Sequence, residues 1–266
     1  MVDSVVDSRI YFMGGLPRSG STLLGALLRQ NPRIFSTPTS PLYHYLVAIN
    51  ECANYNRLQH TYDEERITTQ IYHATIDAFY EHRPRPIIFD KNRMWPKNIP
   101  AIKVHINPRV RIVCPVRPIV EVITSYLRLA ADDPDNFIDS HLKAVCAPIN
   151  NESRAHLLWG TYIKSAYDAL RGALQDHPEN VLLVPYADLM NDPARVLEGI
   201  YSYCGIPKFD HWFKDVDTTN LEAKDAAWRM RNLHEIRSTV VKTSPSPYDY
   251  LPVDAVDYFR QFDVSA

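Results

Sequence analysis

The eight residues Gly15–Thr22, GLPRSGST, constrain the fold of this chain more than any other segment. The apolar run RIYFM comes just before them, and STLLGALLRQ carries apolar residues at helical spacing until Asn31-Pro32. A glycine-rich loop between a strand and a helix folds tightly and points backbone N–H groups and the helix N-terminus toward an anion. The segment therefore predicts a strand, a phosphate-binding loop and a helix.

One position in this loop departs from the ATP- and GTP-binding pattern. Ser21 stands where the Walker A motif has the lysine that contacts the β- and γ-phosphates, and Arg18 inside the loop supplies a cation instead. The loop is thus P-loop-like, but it disfavours an ordinary nucleoside triphosphatase.

Further short apolar runs alternate with helical patterns along the chain. Strands are expected near residues 87–89, 110–116 and 181–185, and helices at residues 21–30, 64–81, 118–131, 152–175 and 193–204. Residues 37–57, rich in proline, tyrosine and asparagine, are expected to form a helical excursion that lines a pocket. Alternating strands and helices predict an α/β fold, a three-layer α/β/α arrangement around a central parallel sheet of four or five strands. No linker or repeat is evident, so residues 1–266 are predicted to form one domain.

The charge balance argues against two classes of partner. Lysine and arginine number 29 against 31 acidic residues, for a net charge of −2, so no general cationic field attracts nucleic acid or an anionic membrane. The N-terminal residues lack the basic and apolar regions of a signal peptide, and no apolar run approaches the length of a membrane span. A cytoplasmic location is the expectation.

Three ordered segments resemble the sulfotransferases that use 3′-phosphoadenosine 5′-phosphosulfate (PAPS), especially their bacterial and protein-tyrosine branches. Residues 17–24, PRSGSTLL, resemble the loop that binds the 5′-phosphosulfate. Residues 111–129 resemble the 3′-phosphate element, with Arg117 followed directly by Pro118 after a strand, and Ser125 eight residues after Arg117. Residues 182–193, LLVPYADLMNDP, are similar to the family's strand with Tyr-x-Asp-Leu and Asp-Pro.

The resemblance implies PAPS as the sulfuryl donor and a set of residues that bind it. A bidentate guanidinium and a hydroxyl suit a 3′-phosphate, and the tyrosine after the last strand suits the nucleotide. In the loosely matching residues 233–247, Arg237, Ser238 and Lys242 are further candidates. The implied donor-binding residues are Arg18, Ser19, Gly20, Ser21, Thr22, Arg117, Ser125 and Tyr186.

For the transfer step, the resemblance implies that Lys91 and Arg18 stabilise charge on the bridging oxygen, and no metal is expected. The general base is less evident, because neither the glutamate nor the histidine of known branches has a counterpart at its usual place. Asp90 is the predicted base because it adjoins Lys91, with His44 and Glu51 behind it. The acceptor is expected to be a small molecule or peptide with a hydroxyl or amine.

Two other functions stay open on the sequence alone. A non-catalytic protein that binds PAPS or another nucleotide would need no base. An atypical P-loop kinase would use ATP, although the missing Walker lysine and the pairing of Arg117 with Ser125 argue against it.

Overall fold

A central parallel β-sheet organises the computed structural model, which describes residues 10–55, 63–83, 85–219, 229–240 and 245–264. Within these residues the sheet has five strands in the order β2-β3-β1-β4-β5. Every neighbouring pair is parallel. The strands are β1 (Ile10–Met13), β2 (Ile34–Thr39), β3 (Ile87–Lys91), β4 (Ile112–Val116) and β5 (Val181–Pro185).

Helices cover both faces of this sheet, because its strands are apolar on both sides. Phe12 packs into the core on one face and its neighbour Met13 into the core on the other, and Ile112 and Val113 divide in the same way. The predicted three-layer α/β/α fold is thereby confirmed. The helices are α1 (Ser21–Arg29), α2 (Leu42–Tyr55), α3 (Glu64–Tyr80), α4 (Ile99–His105), α5 (Ile119–Asp132), α6 (Phe137–Ala144), α7 (Asn151–Leu157), α8 (Lys164–Asp176), α9 (Tyr186–Asn191), α10 (Pro193–Cys204) and α11 (Val253–Arg260).

Two elements differ from their sequence-based expectation. Strand β2 was not predicted, since its sequence IFSTPT mixes polar residues with a proline, and it lies at the edge of the sheet, where proline is tolerated. The long helix expected over residues 152–175 is divided into α7 and α8 by a π-helical stretch, Leu158–Ile163. Among the described residues, no helix combines the length and the apolar character needed to cross a membrane.

Helix α5 receives its N-terminal cap from a distant part of the chain. Pro118 precedes the helix and makes no side-chain capping bond, while the Ile119 amide donates to Asp263 Oδ1 at 2.7 Å. This carboxylate accepts a hydrogen bond from one of the N–H groups at the start of α5 that have no partner within the helix, and it lies at the positive end of the helix dipole. The segment after α11 therefore helps to hold the start of α5, two residues after Arg117.

Candidate functional site

The loop between β1 and α1 folds back over the end of β4. The Gly14 amide donates to the Val113 carbonyl at 2.9 Å, and the Leu16 amide donates to the Pro115 carbonyl at 3.0 Å. Gly15 has φ +91°, and a Cβ there would fall against the Pro115 carbonyl oxygen, well inside van der Waals contact. Glycine is required at this position by both the backbone conformation and the space.

The N-terminus of α1 opens onto a cleft beside this loop. Gly20, with φ +90°, turns the chain into the helix, and its carbonyl accepts the bond of the Leu24 amide at 2.9 Å. The amides of Ser21 and Thr22 precede that bond and have no intrahelical carbonyl. Both residues line the cleft. The start of α1 therefore presents amides without intrahelical partners to the cleft, at the position where the sequence predicted an anion-binding terminus.

The side chain of Arg18 spans the cleft. Its Nε donates to Ser125 Oγ at 3.2 Å, and its Nη1 donates to the Leu233 carbonyl. Burial lowers its pKa, although a guanidinium stays protonated in any ordinary buffer. Arg18 thus joins the phosphate loop to α5 and to residues 231–240, which we call the covering segment.

Arg117 lies at the end of β4 and contacts the same loop. Its side chain is only 4% exposed, and its Nε donates to Glu121 Oε2 at 3.0 Å. Its Nη1 donates to the Arg18 carbonyl at 3.2 Å, and its guanidinium carbon lies 4.3 Å from the centre of the Tyr186 ring. The predicted residues Arg117, Ser125 and Tyr186 therefore line one cleft, and Arg18 is the link between the first two.

Lys91, the last residue of β3, reaches this cleft from a third strand end. It is 7% exposed, and its backbone amide donates to Thr37 Oγ1 at 2.8 Å. Burial, and then the neighbouring charges of Arg93 and Arg29, lower the pKa of its ammonium group to about 7. An anion bound beside Lys91 would stabilise the protonated form.

The structure does not bring Asp90 to the cleft, and its predicted role as a base is corrected here. Adjacent residues in a strand point to opposite faces, so Asp90 points away when Lys91 points in. Its carboxylate is fully buried and accepts hydrogen bonds from Trp95 Nε1 at 2.8 Å and from the hydroxyl of Tyr80. Burial raises its pKa. The contacts assign Asp90 to the packing of α3 and residues 95–98 against the sheet.

Ser19 also differs from the other loop residues. It is fully buried, and its hydroxyl donates to the Leu16 carbonyl, so the side chain closes the loop internally. It does not line the cleft, whereas its neighbours Arg18 and Gly20 do. Any contribution of Ser19 to ligand binding comes through its backbone or through the shape of the loop.

The cleft also contains residues that sequence reasoning missed. Arg128 follows Ser125 by three residues on α5, a spacing that places both on one face and that was readable from the sequence. Arg93, which follows Lys91 by two residues, also lines the cleft. His234 and Glu235 come from the covering segment, which overlaps the loosely matching residues 233–247, although neither residue was singled out there. Arg237, a predicted candidate, lines the cleft, and Lys242 lies outside the described residues.

The cleft is strongly cationic although the whole chain is slightly acidic. Among its described lining residues, Glu235 is the only carboxylate. Its volume is about 160 Å³ with Arg18 reaching across it. A local field of this kind favours a multiply charged anion. The cationic side chains are Arg18, Lys91, Arg93, Arg117, Arg128 and Arg237.

Comparison with known proteins identifies the class. Residues 11–211 match the model of a sulfotransferase family, so the chain belongs to that family. No curated protein sequence matches the chain significantly.

Solved sulfotransferase structures share the fold. The sulfotransferase domain from the curacin biosynthetic pathway aligns with a TM-score of 0.51 at 16% identity, over 97% of this chain and 93% of its own. Sulfotransferase STF9 from Mycobacterium avium aligns with a TM-score of 0.53 at 18% identity, over 97% and 77%. Mouse sulfotransferase SULT7A1, solved in complex with PAP, aligns with a TM-score of 0.52 at 14% identity, over 96% and 82%.

Proposed function

We propose that this sulfotransferase takes its sulfuryl group from PAPS and transfers it to a hydroxyl or amine acceptor, releasing adenosine 3′,5′-bisphosphate (PAP). One observation carries the proposal: three strand ends and the start of α1 direct Arg18, Lys91, Arg117 and free helix amides into a single cationic cleft. A donor with a phosphosulfate at one end and a phosphate at the other matches that distribution of charge.

The phosphosulfate belongs beside the phosphate loop in this proposal. The start of α1, Arg18 and Lys91 all line the cleft there, and we place the S–O bond that breaks beside them. As the acceptor attacks sulfur, negative charge moves to the bridging oxygen of the departing phosphate. Lys91 is protonated when that anion is bound, and its charge stabilises the leaving group.

The 3′-phosphate belongs beside Arg117 and Ser125. Arg117 is already held by Glu121 and by the Tyr186 ring, so its guanidinium has a fixed orientation before the ligand arrives. Tyr186 then offers a ring edge and a hydroxyl to the nucleotide. The presence of PAP in the mouse sulfotransferase structure supports an adenosine bisphosphate as the product.

Entry of this donor requires Arg18 to turn. Its Nη1 donates to the Leu233 carbonyl and its Nε to Ser125, and these are donors that a phosphate would attract. The present cleft of about 160 Å³ is smaller than the roughly 300–1,000 Å³ that encloses drug-sized ligands. Binding of PAPS therefore exchanges the Arg18–Leu233 bond for a phosphate contact and moves the covering segment.

A non-catalytic nucleotide-binding role is the second candidate, because Asp90, the predicted base, is buried away from the cleft. Turnover separates the two functions. The protein is incubated with PAPS and a panel of phenols and amines, and PAP release is measured by chromatography, with Lys91→Met as the inactive control. PAP release that depends on an added nucleophile and on Lys91 supports catalysis; tight PAP binding with no release supports the binding role.

A further inference from the structure

The residues that sequence analysis proposed as bases do not reach the cleft. Asp90, in strand β3, is fully buried and does not line the cleft. His44 and Glu51 are exposed on α2 and do not line the cleft. Transfer to a hydroxyl or an ammonium group still requires a group that removes a proton.

The covering segment supplies two titratable groups of the required kind. Among the described residues that line the cleft, His234 and Glu235 are the only histidine and the only carboxylate. His234 is half-buried between two buried anchors, Leu233 and Ile236, whereas Glu235 is exposed. A proton acceptor shielded from bulk water suits a site that must exclude hydrolysis, which favours His234.

Contacts on both sides of His234 hold it at the cleft. Before it, the Arg231 amide and Nε donate to the Asp133 carboxylate at 2.6 and 2.9 Å, at the end of α5. Next to it, the Leu233 carbonyl accepts from Arg18 Nη1. After it, the Ser238 carbonyl accepts from the Val216 amide at 2.8 Å. Of these contacts, those to Asp133 and Val216 do not involve Arg18, so the segment that carries the imidazole stays tied to α5 and to the chain that follows α10 when Arg18 turns to the donor.

We propose that His234 is the general base of the transfer; this rests on the proposed function. One imidazole nitrogen takes the proton of the acceptor hydroxyl as the acceptor oxygen forms its bond to sulfur. The bond from sulfur to the bridging oxygen breaks, and its electron pair leaves with the phosphate of PAP. The proton passes to solvent when the product departs. Because Leu233 contacts Arg18, the same segment that responds to the donor carries the base for the acceptor.

The test uses two phenols of similar size with PAPS as donor in mildly alkaline buffer. The first, 4-methylphenol, is protonated there and needs a base; the second, 4-nitrophenol, is largely ionised and does not. His234→Gln is expected to lower kcat/KM for 4-methylphenol by about 100-fold and for 4-nitrophenol by less than about 5-fold. PAP affinity, measured by calorimetry, is expected to change by less than about 3-fold, which also shows that the variant folds.

The matched control is His82→Gln, since the His82 side chain is 93% exposed and does not line the cleft. Equal slowing of both phenols, no slowing of either, or the selective loss appearing in Glu235→Gln instead would overturn the assignment. It would also be overturned if the wild-type protein binds PAP but transfers to neither phenol. Failure to bind PAP at all would instead contradict the proposed function, and calorimetry reports that outcome separately.

Discussion

Arg18 in the phosphate loop donates a hydrogen bond from Nη1 to the backbone carbonyl of Leu233, 215 residues further along the chain. The same guanidinium donates from Nε to Ser125 on α5. One side chain thus ties three separate parts of the site together. A phosphate competes for the same N–H groups, so ligand binding and movement of the covering segment are coupled through Arg18.

Removing this link is expected to weaken donor binding and to free the covering segment. Arg18→Ala loses charge-assisted bonds worth about 2 kcal/mol, or about 30-fold in PAP affinity. Hydrogen exchange should become faster at residues 231–240. The control is Arg195→Ala on the exposed face of α10, whose side chain is 68% exposed. Unchanged PAP affinity in Arg18→Ala would contradict the phosphate role.

Lys91 should take up a proton when PAP binds. Its pKa in the free protein is lowered to about 7 by burial, so at pH 8 it is mostly neutral, and a neighbouring phosphate raises that pKa again. Titration at pH 8 in two buffers of different ionisation enthalpy should report uptake of close to one proton, and Lys91→Met should abolish it. Equal apparent enthalpies in both buffers would place the phosphate away from Lys91.

The same lowered pKa makes Lys91 a source of instability in the free protein. The unfolded chain binds more protons than the folded chain between about pH 7 and 10.5, so stability increases with pH across that window. Lys91→Met is therefore expected to unfold at a higher temperature at pH 7 and to lose most of that advantage by pH 10. Thermal denaturation at the two pH values measures the difference. A lower Tm for the variant at pH 7 would contradict a buried, unfavourably charged lysine.

Two glycine substitutions should change the stability of the protein in opposite directions. Gly15→Ala places a Cβ against the Pro115 carbonyl at φ +91°, and we expect it to lower the free energy of unfolding by at least about 2 kcal/mol. The same change should also weaken PAP binding. Gly172→Ala in α8 meets nothing within 4 Å and should stabilise the protein by about 0.5–1 kcal/mol. Urea denaturation measures both. A neutral Gly15→Ala would show that the loop tolerates another backbone path.

Asp263 should contribute to stability through the start of α5. Asp263→Ala removes the acceptor of the Ile119 amide and should cost about 1 kcal/mol, while Asp263→Asn keeps an acceptor and should cost less. Asp257→Ala on α11 is the matched control, since its side chain is 63% exposed and its ion pair with Arg260 is an exposed i,i+3 pair. Denaturant midpoints compare the three variants. Identical losses in Asp263→Ala and Asp257→Ala would argue against the cap.

Much of the fold was readable because buried parallel strands are continuous apolar runs. Strands β1, β3, β4 and β5 have that character, and their regular alternation with helices predicted the layers. Strand β2 lacks that character, because Ser36, Thr37 and Pro38 interrupt its apolar residues. Its place at the sheet edge depends on pairing with β3, a non-local contact that no local pattern encodes.

For the site as well, some residues could be predicted from the sequence around them, and others depend on contacts between distant segments. Arg18, Lys91 and Arg117 follow strands that were predicted, and carboxyl ends of parallel strands meet at one edge, so their convergence was expected. Asp90 was a wrong prediction for a local reason, since strand alternation separates it from Lys91. His234 reaches the cleft because the covering segment passes beside it; the loose match of residues 233–247 indicated this segment but did not single out His234.

Calorimetric titration with PAP, ATP and 5′-AMP, each against the wild-type protein and Arg117→Ala, tests most directly whether this cleft binds PAPS. We expect PAP to bind much more tightly than ATP and 5′-AMP, and Arg117→Ala to reduce PAP affinity by about 30-fold or more while 5′-AMP binding changes little. Equal or tighter binding of ATP, or PAP binding that does not depend on Arg117, would contradict a PAPS site in this cleft.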